Sequence, residues 1–139
     1  MTETIHDISL DSGFGPIKFG SPPSVAKQDW GEERCYEEWM GGNLENFLYF
    51  RGLLVGFRVE CTDHPTENSQ VCMFQVKIVN PIRLFGKEIS RVSKAEIEDL
   101  LLSNNLKYRE LPNGTLQCKD RKLQFHFNDG NLDEVYFAG

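Results

Sequence analysis

The chain has 139 residues, 40% hydrophobic and 26% charged, which suits one domain or two small fused repeats and excludes a chain that stays disordered. A formal net charge of −6 and the lack of any long apolar run argue against nucleic-acid binding and against a membrane-spanning helix. Ten Phe, four Tyr and two Trp favour β-structure over a helical bundle.

Residues 1–13 read as a short lead-in arm anchored by Ile5, Ile8 and Leu10. Ser21 and Pro22 predict the cap and first turn of a helix, Gly31 its end, and Val25 and Trp30 its apolar contacts. Strands are expected at 34–40, 44–50 and 53–60, with turns at Gly41-Gly42 and Arg51-Gly52. In the third of these, Leu53, Val55, Phe57 and Val59 share a face. Residues 62–70 are polar and contain Pro65, as a linker or a functional loop would. VCMFQVKIVNPI, 71–82, is apolar enough for a buried strand.

Ser93 and Glu96 form a capping box ahead of an apolar stripe, Ile97, Leu100 and Leu101. Asn104 and Asn105 suit a left-handed helix end. Strands at 106–111 and 115–118 flank Asn113-Gly114, which predicts a type I′ turn. KLQFHF, 122–127, and residues 132–137 form the last hairpin around Asn128-Asp129-Gly130-Asn131.

The two halves use the same grammar. YEEWMGGNLE at 36–45 is echoed by YRELPNGTLQ at 108–117, an offset of 72. At that offset Tyr36, Glu38, Gly42 and Leu44 recur as Tyr108, Glu110, Gly114 and Leu116. Ile17 likewise meets Ile89, Ser21 meets Ser93, Val25 meets Ile97, and Trp30 meets Leu102. The expected architecture is α+β in a single domain. Repeats at about 14–60 and 86–137, joined by 61–85, each supply a helix and an antiparallel meander. Together they would form one sheet with helices on one face, since neither copy alone has core enough to be stable.

Catalytic signals are weak. The glycines of GFGPIKFG at 13, 15 and 20 miss the G-x-G-x-x-G spacing, and a glycine-bearing turn explains them. Cys61, Asp63 and His64 are close in sequence, but neighbours leaving a strand rarely converge as a nucleophile, base and orienting group. Metal binding needs further ligands, and His6 and His126 are distant in sequence. The reading is a non-enzyme with no metal and no cofactor. Cys35, Cys61, Cys72 and Cys118 form no C-x-x-C pair and read as reduced thiols. With no signal-peptide pattern in MTETIHDISLDSG, the expected compartment is the cytoplasm.

Charge is uneven. Residues 1–70 hold twelve acids against five Lys and Arg, whereas 71–139 hold nine against ten. Asp29, Glu32, Glu33, Glu37, Glu38 and Glu45 have only Arg34 among them. Alternation sends Glu37 and Glu38 to opposite faces, so they do not pair for glycoside hydrolysis. An acidic interaction surface is the functional reading, and a solubilising face is the plain one. If Trp39 and Leu111 face the core, Tyr36, Glu38, Tyr108 and Glu110 lie on the open sheet face, joined by Glu134 and Tyr136. With Glu32 and Glu33 these make a tyrosine-and-carboxylate surface suited to a basic protein. The alternative packs the tyrosines inward and exposes Trp39.

IKFGSPPSVAKQDWG, 17–31, and the tandem helix-plus-meander plan over about 14–137 resemble β-lactamase inhibitor protein and related small envelope lipoproteins. That resemblance implies protein binding on the open sheet face. The chain departs from it in lacking a signal peptide pattern and paired cysteines. A small acidic protein of this length is also similar to bacterial immunity proteins. This implies a cognate protein toxin as partner, such as a basic nuclease domain. Charge and composition point to no membrane or nucleic-acid partner, and the oligomeric state is undefined. The other reading is a small-ligand-binding or regulatory domain that uses the same face.

Overall fold

Period-two alternation in the sequence becomes paired strands almost throughout. The computed structural model describes residues 6–30, 47–50, 53–58, 70–78, 81–119 and 122–138. The first elements are β1 (His6–Ser9), β2 (Gly13–Phe14), β3 (Ile17–Lys18) and α1 (Pro23–Trp30). Then come β4 (Phe47–Phe50), β5 (Leu53–Arg58), β6 (Gln70–Lys77), β7 (Ile82–Leu84), β8 (Lys87–Ile89) and α2 (Lys94–Ser103). The chain closes with β9 (Tyr108–Glu110), β10 (Leu116–Cys118), β11 (Leu123–Asn128) and β12 (Asn131–Ala138). The strand expected at 34–40, the acids Glu32 and Glu33, and the Cys61–His64 stretch lie outside the described residues.

The fold is mixed α and β, but the expectation of one sheet is corrected. Among the described residues there are two sheets, one of five strands in the order β3-β2-β1-β7-β8 and one of seven in the order β4-β5-β6-β12-β11-β10-β9. The larger sheet is antiparallel throughout. The smaller exists because β1 pairs in parallel with β7 (His6 with Ile82, Ile8 with Leu84) and so joins two short hairpins. Strands of two to four residues carry too little alternation to be read as a sheet, which is why 1–13 looked like an arm. The 61–85 connection contains β6, the third strand in the order of the larger sheet and the neighbour of its middle strand β12.

Turn chemistry explains the hairpins. Phe85 and Gly86 both have positive φ (53° and 77°) between β7 and β8, as do Asp129 and Gly130 (53° and 81°) between β11 and β12. That double positive φ defines a type I′ turn, whose twist matches the strands it joins. The type I′ expectation at Asn113-Gly114 is corrected, since only Gly114 has positive φ (88°). The Gly114 N–H donates to Leu111 O, and the Thr115 N–H donates to the Asn113 side chain. A longer loop with one left-handed glycine results.

The helix caps are settled by similar local contacts. Ser93 is extended (φ −74°, ψ 161°), and its Oγ accepts from the Glu96 N–H at 3.3 Å, as the capping box predicts. Asn105 supplies the left-handed residue after α2 (φ 58°), and the Asn104 amide donates to Leu100 O at 2.8 Å. Ser21, by contrast, does not cap α1. Its hydroxyl donates to Lys18 O in a turn, and the helix begins at Pro23. Ser93→Ala is therefore expected to cost about 1 kcal/mol, the usual value of a lost N-cap. Ser21→Ala should cost less. Urea-denaturation midpoints of the two variants check this, and an equal loss from both would overturn the assignment.

The core is shared by both sheets and both helices. It contains Ile8, Phe14, Ile17 and Ala26 from the first elements, Leu53, Val55, Phe74 and Val76 from the larger sheet's first strands, and Ile97, Leu101, Phe125 and Phe137 from the second half. At its centre Phe74 on β6 stacks on Phe137 of β12, with ring centroids 5.0 Å apart. Phe14 and Phe19, flanking the β2–β3 hairpin, meet this pair at 5.4–6.4 Å. Trp30 at the end of α1 lies against Phe14 and His6, and the His6 ring bonds Asp29 at 2.7 Å.

Candidate functional site

Strand register decides which of the expected surface residues share a face, because directly paired residues of an antiparallel ladder point to the same side. Tyr108 pairs with Cys118 and Glu110 with Leu116. Cys118 and Leu116 are buried, so Tyr108 and Glu110 lie on the core side of the larger sheet and not on its open face. The Tyr108 hydroxyl donates to Glu98 Oε2 of α2 at 2.9 Å, and Glu110 pairs with Lys94 of α2 at 3.2 Å. Hydrogen bonding to the Glu98 carboxylate, with burial and the charges of Glu98, Asp99 and Glu110 adding to it, raises the Tyr108 pKa. The alternation argument failed at Leu111, which belongs to the turn after β9 and does not fix its phase. Tyr36, Glu38, Glu32 and Glu33 lie outside the described residues.

Glu134 and Tyr136 do lie on the opposite face, between the buried Leu132, Val135 and Phe137 of β12. Tyr136 sits in a row that crosses five strands. Arg109 pairs with Gln117, Gln117 with Gln124, Gln124 with Tyr136, and Tyr136 with Gln75. These side chains are exposed or half-buried. Glu134 lies in the adjoining row, paired with Lys77 and His126, and accepts from the Gln75 amide at 2.7 Å. The His126 ring is bonded to Thr115 Oγ1 at 3.2 Å.

At one corner this face forms an open groove of about 530 Å³. Arg109, Gln117, Gln124 and Tyr136 line it along the row, with Lys119 and Lys122 beside them. The Arg109 Nε donates to Gln117 Oε1 at 2.9 Å, which fixes the plane of the guanidinium. The Lys119 N–H donates to Lys107 O, and the Ala138 N–H donates to Lys122 O. These bonds extend the β9–β10 ladder by Lys107 with Lys119 and the β11–β12 ladder by Lys122 with Ala138. None of the described lining residues is acidic. Sequence reasoning missed this corner because it weighed charge by halves. The signal was there, since residues 107–122 hold five Lys and Arg against two acids.

Cys118 contributes to the groove wall but is itself 4% exposed. Burial pushes its thiol pKa up to about 11 from 9.0. The unfolded chain releases this proton near pH 9, while the native state holds it to about pH 11. Raising pH through that interval therefore favours the unfolded state, and stability from this group is full below pH 9 and lost by about pH 11. Native Cys118 should consequently resist a thiol reagent at pH 8 and react once urea is added. Fast native modification at this residue, mapped by peptide mass, would contradict the burial.

Among the described residues no cluster of three His, Cys, Asp or Glu side chains suits a metal ion, and no helix is long and apolar enough to cross a membrane. Comparison with protein-family models, characterised proteins and solved structures finds no match.

Proposed function

We propose that this is a non-catalytic protein-binding inhibitor of the immunity type, which neutralises a basic toxin domain through its acidic half and the open face of the larger sheet. The observation that carries the reading is the shape of that sheet. One face of seven antiparallel strands fills the core, while the other presents a polar, half-exposed row that includes Tyr136 and is flanked by Glu134. Tyrosine is a frequent interface anchor, and a stiff sheet lowers the entropy lost on docking. Glu32, Glu33, Tyr36 and Glu38 complete the proposed surface from the acidic segment. Tyr108 and Glu110 are reassigned to holding β9 against α2.

The test is direct. The protein is titrated by calorimetry with the purified product of the adjacent gene, and growth is followed when the two are co-expressed. Nanomolar binding together with restored growth supports the reading. Binding with no protection, or protection with no binding, removes it.

A small-ligand or regulatory role on the same face is the second reading, favoured by the groove at Arg109 and Tyr136.

We infer that the two halves descend from one duplicated unit. Each has a short hairpin (β2–β3 and β7–β8), a helix, and antiparallel strands, with the last strands β6 and β12 paired at the centre of the larger sheet. In each half the residues before the helix bond to the start of that last strand. Gly20 and Ser21 bond to Val71, and Val92 bonds to Leu132. Ile17 and Ile89 are both buried, though Trp30 packs on the core while its counterpart Leu102 is 61% exposed.

A further inference from the structure

We propose that the groove at the corner of β9, β10, β11 and β12 binds a phosphate-bearing small molecule with a flat ring, of the nucleoside diphosphate class. This deepens the small-ligand reading and does not depend on the inhibitor reading. The argument begins with the polarity of the row. Within the groove Arg109 stands at one end of the row, Gln117 and Gln124 in the middle, and Tyr136 at the other end. Lys119 and Lys122 stand beside the middle pair. Arg109, at the far end, and Lys119, beside Gln117, therefore stand away from the aromatic ring.

Each element of that row suits one part of such a ligand. The Arg109 Nε is committed to Gln117, so the guanidinium is held in one plane and its two terminal nitrogens are directed as a fork. A planar fork matches two oxygens of one phosphate, and bonds of this kind between charged groups are the strong ones. Lys119 adds a point charge for a second phosphate. The Tyr136 ring offers a stacking surface, and the neighbouring glutamine amides can both donate and accept along a heterocycle's edge. Four strands span about 14 Å at their usual spacing, which is the length of an extended nucleoside diphosphate. The groove volume falls within the usual range for small-ligand sites.

Charge balance favours an anion here even though the protein is acidic overall. The described lining residues carry three cations and no carboxylate. Glu134 is the nearest acid along β12, and it is engaged by Gln75.

The experiment uses the full chain and four probes: adenosine diphosphate, pyrophosphate, adenosine and a hexaglutamate peptide. Binding is read by calorimetry and by NMR shifts of the Gln117 and Gln124 side-chain amides. Adenosine diphosphate is expected to bind most tightly, pyrophosphate more weakly, and both to weaken with added salt. The pair Arg109→Gln with Lys119→Gln should weaken both phosphate probes by about tenfold or more. Tyr136→Leu should weaken adenosine diphosphate and leave pyrophosphate unchanged. Thermal melts of these surface variants confirm that they remain folded.

Adenosine binding as tightly as the diphosphate, with no response to the charge variants, overturns the phosphate assignment and leaves the small-ligand reading standing. Hexaglutamate binding tightest overturns the ligand class. No amide shift with any probe overturns both the proposal and the small-ligand reading.

Discussion

Replacing Phe74 or Phe137 with Ala is expected to cost about 3–5 kcal/mol each, the usual range for a buried phenyl truncated in a well-packed core. Both rings are fully buried, and they stack with centroids 5.0 Å apart and planes 20° from parallel. Their strands are directly paired, with Phe74 opposite Phe137, so neither ring has a second way to fill the space. Phe14 and Phe19 close over the pair from the other sheet, and a cavity would leave them without contacts too. A domain of this size has only about 5–15 kcal/mol of stability in total. Each variant should therefore unfold at much lower urea, and the double variant should fail to fold at 37 °C. Because the rings touch, the double loss should differ from the sum of the singles. Losses below about 1 kcal/mol would mean that the two sheets do not share one packed core.

Reversing Glu32, Glu33 and Glu38 to Lys is expected to slow association with a basic toxin domain by about 10–1000-fold, the range over which electrostatic steering acts. The three substitutions change the net charge from −6 to zero, since each one shifts it by two units. They act within a half whose own balance is twelve acids against five bases. Steering depends on unscreened charge, and the Debye length falls from about 10 Å at 0.1 M salt to about 3 Å at 1 M. Added salt should thus slow association of the unaltered protein, while dissociation changes less. Thermal stability should move by only a few degrees, because exposed charges contribute little to folding. Tyr136→Ala should instead speed dissociation, as the loss of a buried anchor does. Stopped-flow binding across a salt series separates these effects. Association that ignores both salt and the three reversals would remove the basic-partner reading.

The start of α2 and the long strands were legible because each rests on a local rule. Ser93 with Glu96, the stripe Ile97–Leu101, and the alternation through 123–127 needed no knowledge of the rest of the chain. The second sheet was not legible. Its founding contact joins His6–Ser9 to Ile82–Leu84, short segments far apart in sequence, and a parallel pairing leaves no hairpin signal. The open face was half legible. Glu134 and Tyr136 sit in an eight-residue strand whose alternation is unambiguous, whereas Tyr108 and Glu110 sit in a three-residue strand whose phase was taken from a turn residue. The basic groove was hidden for a different reason. Its cations come from β9, from the residue after β10 and from the residue before β11, and only the register brings Arg109 and Lys119 into one groove with Tyr136.

The central pairing of β6 with β12 also sets a timetable for synthesis. β6 is complete at Lys77, yet the strand that covers its open edge ends only at Ala138. At the ribosome's usual pace of about 5–20 residues per second, that edge waits about 3–12 s for its partner. During the wait the nascent chain displays a row of unpaired backbone amides beside Val71, Phe74 and Val76, which is a template for pairing with another nascent chain. Production at high polysome density should therefore be more damaging to yield than the finished protein's stability suggests, and slower initiation or a holdase chaperone should restore it.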